Sequence, residues 1–403
     1  MTLQGAHKVT LRSFASFCIA FAAGLVVTLN AFSEESHNLR FAAVMMLLIF
    51  VQTLMRWRLW ISRELLLYVA FAAYNGMSLL WTSDSRDGIP NVQLTMNYIL
   101  VFMLFSALVI FHDRRAVLRG ILGGFLIGAV LYTRTSGFPF SYPEDFSYNT
   151  IAGMYLFGLF MTAAYGWYQR TRMLPILVGL VLMLLIAATT SIKTNLGVLL
   201  GAVMAALLSF RYSMRAIGRN AILGLVFVGA IAYAVTSNQD LRDRVEGGYA
   251  RVSMGADVLV AREDKTGGAG LGNRENWTKR GIEGWMANPV FGEGVEAFRG
   301  DFHYTSHSTV VDLLYNTGLI GFVLFYASLV SVGWRLLQRS QPGTRSPRAL
   351  IFGALACYLF ISLSGTMYYD VFLAAVMAIS AALLTRPEHE AETPRAVVAR
   401  APS

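Results

Sequence analysis

Charge is scarce in this sequence: Asp, Glu, Lys and Arg make up 14% of 403 residues, against 55% hydrophobic residues and a mean hydropathy of +0.52. So little polar surface cannot coat a soluble globule of this size, which leaves lipid as the solvent for much of it. Cysteine is nearly absent. Cys18 falls in the first apolar run and Cys357 in a late one, so neither is placed to close a loop disulfide. Also missing are a Walker loop, HExxH zinc spacing, a paired-Cys site and an Asp-x-Asp pair in a loop that could hold a divalent ion. These gaps point away from nucleotide hydrolysis and lead us to expect no metal and no cofactor. Internal repeats are lacking as well. The formal charge of +9 raises the question of nucleic acid, but the basic residues are dispersed among apolar runs and form no stripe, so no nucleic-acid partner is expected.

What the chain does have is apolar runs long enough to cross about 30 Å of hydrocarbon. Nine fall near 13–31, 39–55, 63–81, 92–111, 115–132, 149–168, 173–190, 194–210 and 217–236, and three more near 309–333, 348–365 and 367–385. The first follows His7, Lys8 and Arg12 and outlasts an ordinary signal-peptide core, so it reads as a retained signal anchor. The fold class expected is therefore an all-α integral membrane protein of about 12 transmembrane helices, with membrane lipids around it.

The distribution of Lys and Arg tests that count independently, because cytoplasmic loops carry an excess of both. Alternate loops and the two ends hold 20 of the 33 basic residues, among them Arg56, Arg58, Arg114, Arg115, Arg170, Arg211, Arg335 and Arg386. The short loops opposite hold only Arg40, Arg86, Arg134 and Lys193, with seven acids. Both termini are then cytoplasmic. The organisation expected is spans 1–9 over 1–236, a large periplasmic loop over 237–308, spans 10–12 over 309–385 and a disordered cytoplasmic tail over 386–403.

The loop 237–308 is too long for a turn and carries nine basic and eleven acidic residues. Within it, Asn273 can cap a helix running to about Ala287, where Asn288-Pro289 stops it. Trp277, Ile282, Trp285 and Met286 give that helix an apolar stripe, as expected of an amphipathic helix at the membrane face.

Polar groups at the membrane edge are costly without partners, so those on the outer rim merit individual reading. Trp81-Thr82-Ser83-Asp84 reads first as an interfacial anchor, and Asn149 as a helix cap after Tyr142-Pro143-Glu144-Asp145. Lys193, in the hairpin Thr189 to Asn195, can simply snorkel, or it can hold a phosphate. On the loop helix Arg274, Trp277 and Gly281 share a face, and Arg280 projects from a neighbouring one. A solvated surface would explain them, and so would anion binding. His303 has the bland reading of a surface histidine. His307 differs, since it stands at the entrance of a span with Asp312 just inside. A neutral imidazole there could take a proton from a hydroxyl nucleophile while Arg and Lys stabilise an anionic leaving group, a division of labour that fits a diphosphate-linked donor.

Taken in order, four segments resemble the membrane O-antigen ligase and O-antigen polymerase superfamily. They are Asn273-Arg274-Glu275-Asn276-Trp277, Asn288-Pro289-Val290-Phe291-Gly292-Glu293-Gly294, His307-Ser308 and Gly318-Leu319-Ile320-Gly321. Trp81 to Asp84 and Asn149 to Ala152 are similar to family segments as well. The resemblance implies a GT-C-like glycosyltransferase architecture. It makes His307 the catalytic histidine, Arg274 the loop arginine that meets the lipid diphosphate and Lys193 the hairpin cation, where the family has an arginine. Arg280, Trp277, Asp312 and His303 would line the substrate site. In the ligase branch the implied reaction moves a polysaccharide from undecaprenyl diphosphate to lipid A-core at the periplasmic face of the bacterial inner membrane, with inversion and without metal. A polymerase of the same superfamily, a protein O-oligosaccharyltransferase and a transporter remain alternatives. Against the last, the spans hold few acids and show no paired Gly/Pro breaks in corresponding halves.

Overall fold

The computed structural model describes residues 3–30, 38–56, 61–83, 85–136, 148–167, 173–189, 191–210, 271–303, 306–337, 345–363 and 365–385, with the single positions 225, 229, 236 and 242. Among the described residues the regular elements are helical. The first eight are α1 (Leu3–Asn30), α2 (Asn38–Arg56), α3 (Arg63–Met77), α4 (Ser85–Phe111), α5 (Arg114–Ser136), α6 (Tyr148–Trp167), α7 (Met173–Ala188) and α8 (Ile192–Phe210). The rest are α9 (Leu271–Ala287), α10 (Ala297–Phe302), α11 (Thr309–Leu337), α12 (Arg345–Ser362) and α13 (Val371–Thr385).

The helices α1–α8 and α11–α13 fall on eleven of the apolar runs read from the sequence. Most of the run 217–236, most of the segment 237–270 and the tail 386–403 lie outside the described residues. Four helical stretches, Leu11–Asn30, Ser85–Phe111, Arg114–Ser136 and Thr309–Leu336, are long and apolar enough to cross a membrane, and six shorter helices are apolar. The chain is thus an all-α protein built for a membrane.

Between apolar helices in lipid, association rests on close packing, so small residues gather at the crossings. Gly120, Gly124 and Gly128, four residues apart on α5, lie against α1; a Cβ at Gly120 would stand 2.5 Å from the Phe17 carbonyl oxygen. Gly201 of α8 meets the Gly353 carbonyl of α12 in the same way. At the centre, α13 is buried from Val371 to Ala382 and packs on α4 and α6. Its first turn is capped by Asp370, which accepts from the Phe372 and Leu373 N–H groups at 2.7 and 2.9 Å and so fixes the segment 365–370 that leads into it. Near the C-terminal end of α13, the buried Glu64 accepts from Arg335 at 3.2 Å and Ser331 at 3.1 Å, and Arg335 donates to Thr385 at 2.7 Å. That cluster ties α3, α11 and α13 together.

Two helix starts differ from the sequence reading. The helix α9 begins at Leu271, which puts Asn273 inside its first turn, and α6 begins at Tyr148, which does the same to Asn149. Helix ends fray and shift with docking, and neither boundary carries the architecture.

Candidate functional site

The loop helix α9 lies directly on the first turns of α11. Trp277, Gly281 and Gly284 recur at helical spacing and form its packed side: a Cβ on Gly281 would overlap Val311 and Phe298, and one on Gly284 would overlap the Tyr315 ring. Glycine is needed there because the two helices touch almost backbone to side chain. Trp277, 7% exposed, joins Ala297, Phe298, Val311, Tyr315 and the flanking Phe302 in a small core separate from the membrane bundle. The apolar stripe expected on α9 is accordingly split. Trp277 turns inward and Met286 stays 65% exposed, because the glycines and not the large apolar residues define the docking face.

After α9, the segment Asn288–Val295 plugs a break in α11. Gly318 sits at φ 60, ψ −163, a conformation essentially restricted to glycine. The break frees α11 backbone groups that the segment takes up: Leu319 N–H donates to Pro289 at 2.9 Å, Glu293 N–H to Tyr315 at 2.8 Å and Gly294 N–H to Asn316 at 2.8 Å. A Cβ at Gly292 would stand 2.5 Å from Gly318 N, and one at Gly294 would stand 2.5 Å from Thr82 Cα. Thr82 Oγ1 donates to the Val295 carbonyl at 2.7 Å and Ser83 to Asp301 at 3.3 Å. The Trp81–Ser83 segment, read from the sequence as an interfacial anchor, is therefore a docking strip for the residues that follow α9.

His307 stands on the turn that enters α11, partly exposed, at φ 55. Its ring lies 5.8 Å from that of Trp277 at 37°. Just behind it Thr309 donates from Oγ1 to the Gly365 carbonyl at 2.6 Å and accepts from Met367 N–H at 2.9 Å. The Lys193 ammonium rests on the same Gly365, 2.6 Å from where a Cβ would be. Lys193 is also next to the start of α8, where Ser191 and Thr194 share a 2.9 Å hydroxyl bond. So Lys193 and Thr309 meet at Gly365, and His307, two residues before Thr309, meets the Trp277 ring, although Lys193 and His307 are more than a hundred positions apart.

The remaining expected residues fall into two groups. Asp312 is buried beneath His307, accepting from Ser306 Oγ at 3.0 Å and Tyr368 OH at 2.8 Å. Arg280 and His303 stand beside Phe302, at the edge of the small core. The Arg280 guanidinium lies 5.9 Å over the Phe302 ring, and the exposed His303 ends α10 at φ 59. Arg274 lies in the first turn of α9, one helical turn before Trp277; its side chain is outside the described residues. Glu296, His303 and His307 are the three non-glycine residues with positive φ among the described residues, and all border this site. Such conformations are held only where surroundings over-determine them, and they concentrate at functional sites.

Four neighbours, Asn75, Asn91, Glu296 and Tyr368, were not singled out from the sequence. Asn91 Nδ2 donates to the Glu296 carboxylate and to Tyr368 OH at 3.2 Å, while accepting from Asn75 at 3.2 Å. Tyr368 in turn holds Asp312, so Glu296 and Asp312 are linked through one amide and one phenol. Burial, reinforced by the negative charge of Asp312, pushes Glu296 up to about 7, against the pull of Arg299 and the Asn91 bond. The signal for Asn75 was available, since an amide inside an apolar run is costly without a partner, and Asn91 stands just before the run 92–111. Among the described residues, no three His, Cys, Asp or Glu side chains form a group that could hold a metal ion.

No family model matches the chain. Over 162 residues it is 25% identical to the "Exopolysaccharide production protein ExoQ" of Rhizobium meliloti (strain 1021), a match covering 34% of this chain and 36% of that protein. The match thus spans about a third of either length. A helical membrane protein related at a distance to one named for exopolysaccharide production is what sequence similarity and fold together establish.

Proposed function

We propose that this chain is a glycosyltransferase of the O-antigen ligase type, moving O-antigen polysaccharide from undecaprenyl diphosphate to a sugar hydroxyl of lipid A-core at the periplasmic face of the bacterial inner membrane. His307 takes the proton of the acceptor hydroxyl as its oxygen attacks the anomeric carbon, and the carbon–diphosphate bond breaks on the opposite side, inverting the centre. Lys193 and Arg274 neutralise the departing diphosphate, with Arg280 assisting from the neighbouring face of α9. The donor's tail stays in the bilayer and the acceptor arrives in the same plane, which accounts for reactive residues at the rim rather than in a closed core.

One observation carries this reading: the Trp277–His307 ring contact sets the candidate base beside the helix whose first turn bears Arg274. The convergence of Lys193 on the adjoining segment supports it. A relative named for exopolysaccharide production favours a second reading, a polymerase that joins repeat units on the same carrier. The two readings part in cells lacking the protein. Ligase loss leaves core-only lipopolysaccharide while polymer accumulates on its carrier, whereas polymerase loss leaves single repeats or shortens an exported polysaccharide. Unchanged lipopolysaccharide and exopolysaccharide would remove both.

A further inference from the structure

The backbone of His307 occupies the left-handed region, which few non-glycine residues adopt and which neighbouring groups must therefore hold. The constraint is visible. The Ser306 hydroxyl closes the turn across His307, reaching the Ser308 carbonyl at 2.9 Å and lying 3.3 Å from the Ser308 N–H that donates to it. That same hydroxyl lies 3.0 Å from Asp312 Oδ1, so its proton is shared between the turn and the carboxylate. Asp312 Oδ2 takes the Tyr368 hydroxyl at 2.8 Å. Tyr368 cannot swing away: its carbonyl accepts from Tyr68, and its ring meets Phe71 edge-on at 5.9 Å and Tyr369 at 4.8 Å. Ser306, Asp312 and Tyr368 are 2%, 5% and 2% exposed.

We infer that Asp312, braced by Tyr368, is a positioning residue that acts through Ser306 to hold His307 in its left-handed turn and so aims the imidazole. Both Asp312 oxygens already receive donors from the protein, which suits a strut better than a contact to sugar. The value of such bracing lies in geometry, since a misplacement of about 1 Å in a reacting group can cost roughly a hundredfold in rate. The inference rests on His307 being the base, and the test keeps the two apart.

Wild type, His307→Ala, Ser306→Ala, Ser306→Thr, Asp312→Asn and Tyr368→Phe proteins are reconstituted in lipid with an undecaprenyl-diphosphate-linked oligosaccharide and a lipid A-core acceptor. Ser306→Ala and Asp312→Asn lower kcat at least about tenfold with donor KM within about twofold, Tyr368→Phe loses less, and Ser306→Thr regains most activity. Adding Ser306→Ala to His307→Ala costs nothing further, because Ser306 acts only through the histidine. Independently of turnover, nitrogen-15 spectra of the histidine rings locate His307 as the signal missing in His307→Ala; Ser306→Ala and Asp312→Asn displace that signal. An unmoved His307 signal, or a raised KM with unchanged kcat, overturns the strut. Full activity of His307→Ala with a displaced ring signal instead overturns the base, leaving the strut as a structural fact.

Discussion

The Trp277 ring lies 5.8 Å from the His307 ring, tilted by 37°, and closes one side of the space the imidazole can occupy. Trp277 is itself fixed in the small core of Phe298, Val311 and Tyr315, so the loop helix and the entrance of α11 share one rigid contact. Replacing the indole with a smaller ring should loosen the histidine without dissolving the core. Trp277→Phe is expected to slow transfer by a few-fold and Trp277→Ala by about 10²-fold, in kcat more than in KM. Steady-state kinetics of the two variants check this.

The break at Gly318 is held by the segment that precedes it. Any L-residue at φ 60, ψ −163 is strained by about 1–3 kcal/mol, and a Cβ there would also meet the Val290 carbonyl. Gly318→Ala should therefore lower the thermal midpoint of the purified protein and undock the Asn288–Val295 segment. Gly333→Ala is the control. That glycine is on the same helix with nothing within 4 Å of an added Cβ, and alanine there should be neutral or slightly stabilising.

Glu296 gives stability a pH dependence of definite sign. Its carboxyl titrates near 4.5 when unfolded and at about 7 in place, so between those values the folded chain binds more proton than the unfolded one. Stability from this group is full below about 4.5 and is lost as pH rises toward about 7, then stays level. The thermal midpoint should fall from pH 5.5 to pH 8, and Glu296→Gln should flatten that fall. A slope unchanged in the variant would show that another group sets it.

Much of the frame was legible because its causes are local. Apolar runs of bilayer length became helices, and Asn288-Pro289 stopped α9 where a proline must. His307, Asp312 and Lys193 could be named individually because each is a polar residue at a span edge, and Trp277 because it stands on the apolar stripe of an amphipathic helix. What could not be read was their wiring. Asn91 reaches Glu296 across 205 positions and Tyr368 reaches Asp312 across 56, and no spacing encodes such pairs. The glycines of α9 were equally opaque. In sequence they weaken a helix, and only the approach of Val311 and Tyr315 shows that they make its docking face. Most of the segment 237–270 lies outside the described residues, and the reading of 237–308 as a periplasmic loop stays an expectation.

If the leaving diphosphate is met by side-chain cations alone, transfer by the purified protein should proceed unchanged in excess chelator. Magnesium should give no rate increase. Loss of activity that magnesium restores would assign part of the leaving-group stabilisation to a bound ion.

The most direct test is transfer by purified, lipid-reconstituted protein carrying His307→Ala, beside His303→Ala and wild type. The account predicts loss of transfer by about 10²- to 10⁴-fold for His307→Ala, with folding and lipid insertion intact, and a mild effect for His303→Ala. Wild-type rates from the His307→Ala protein would contradict it.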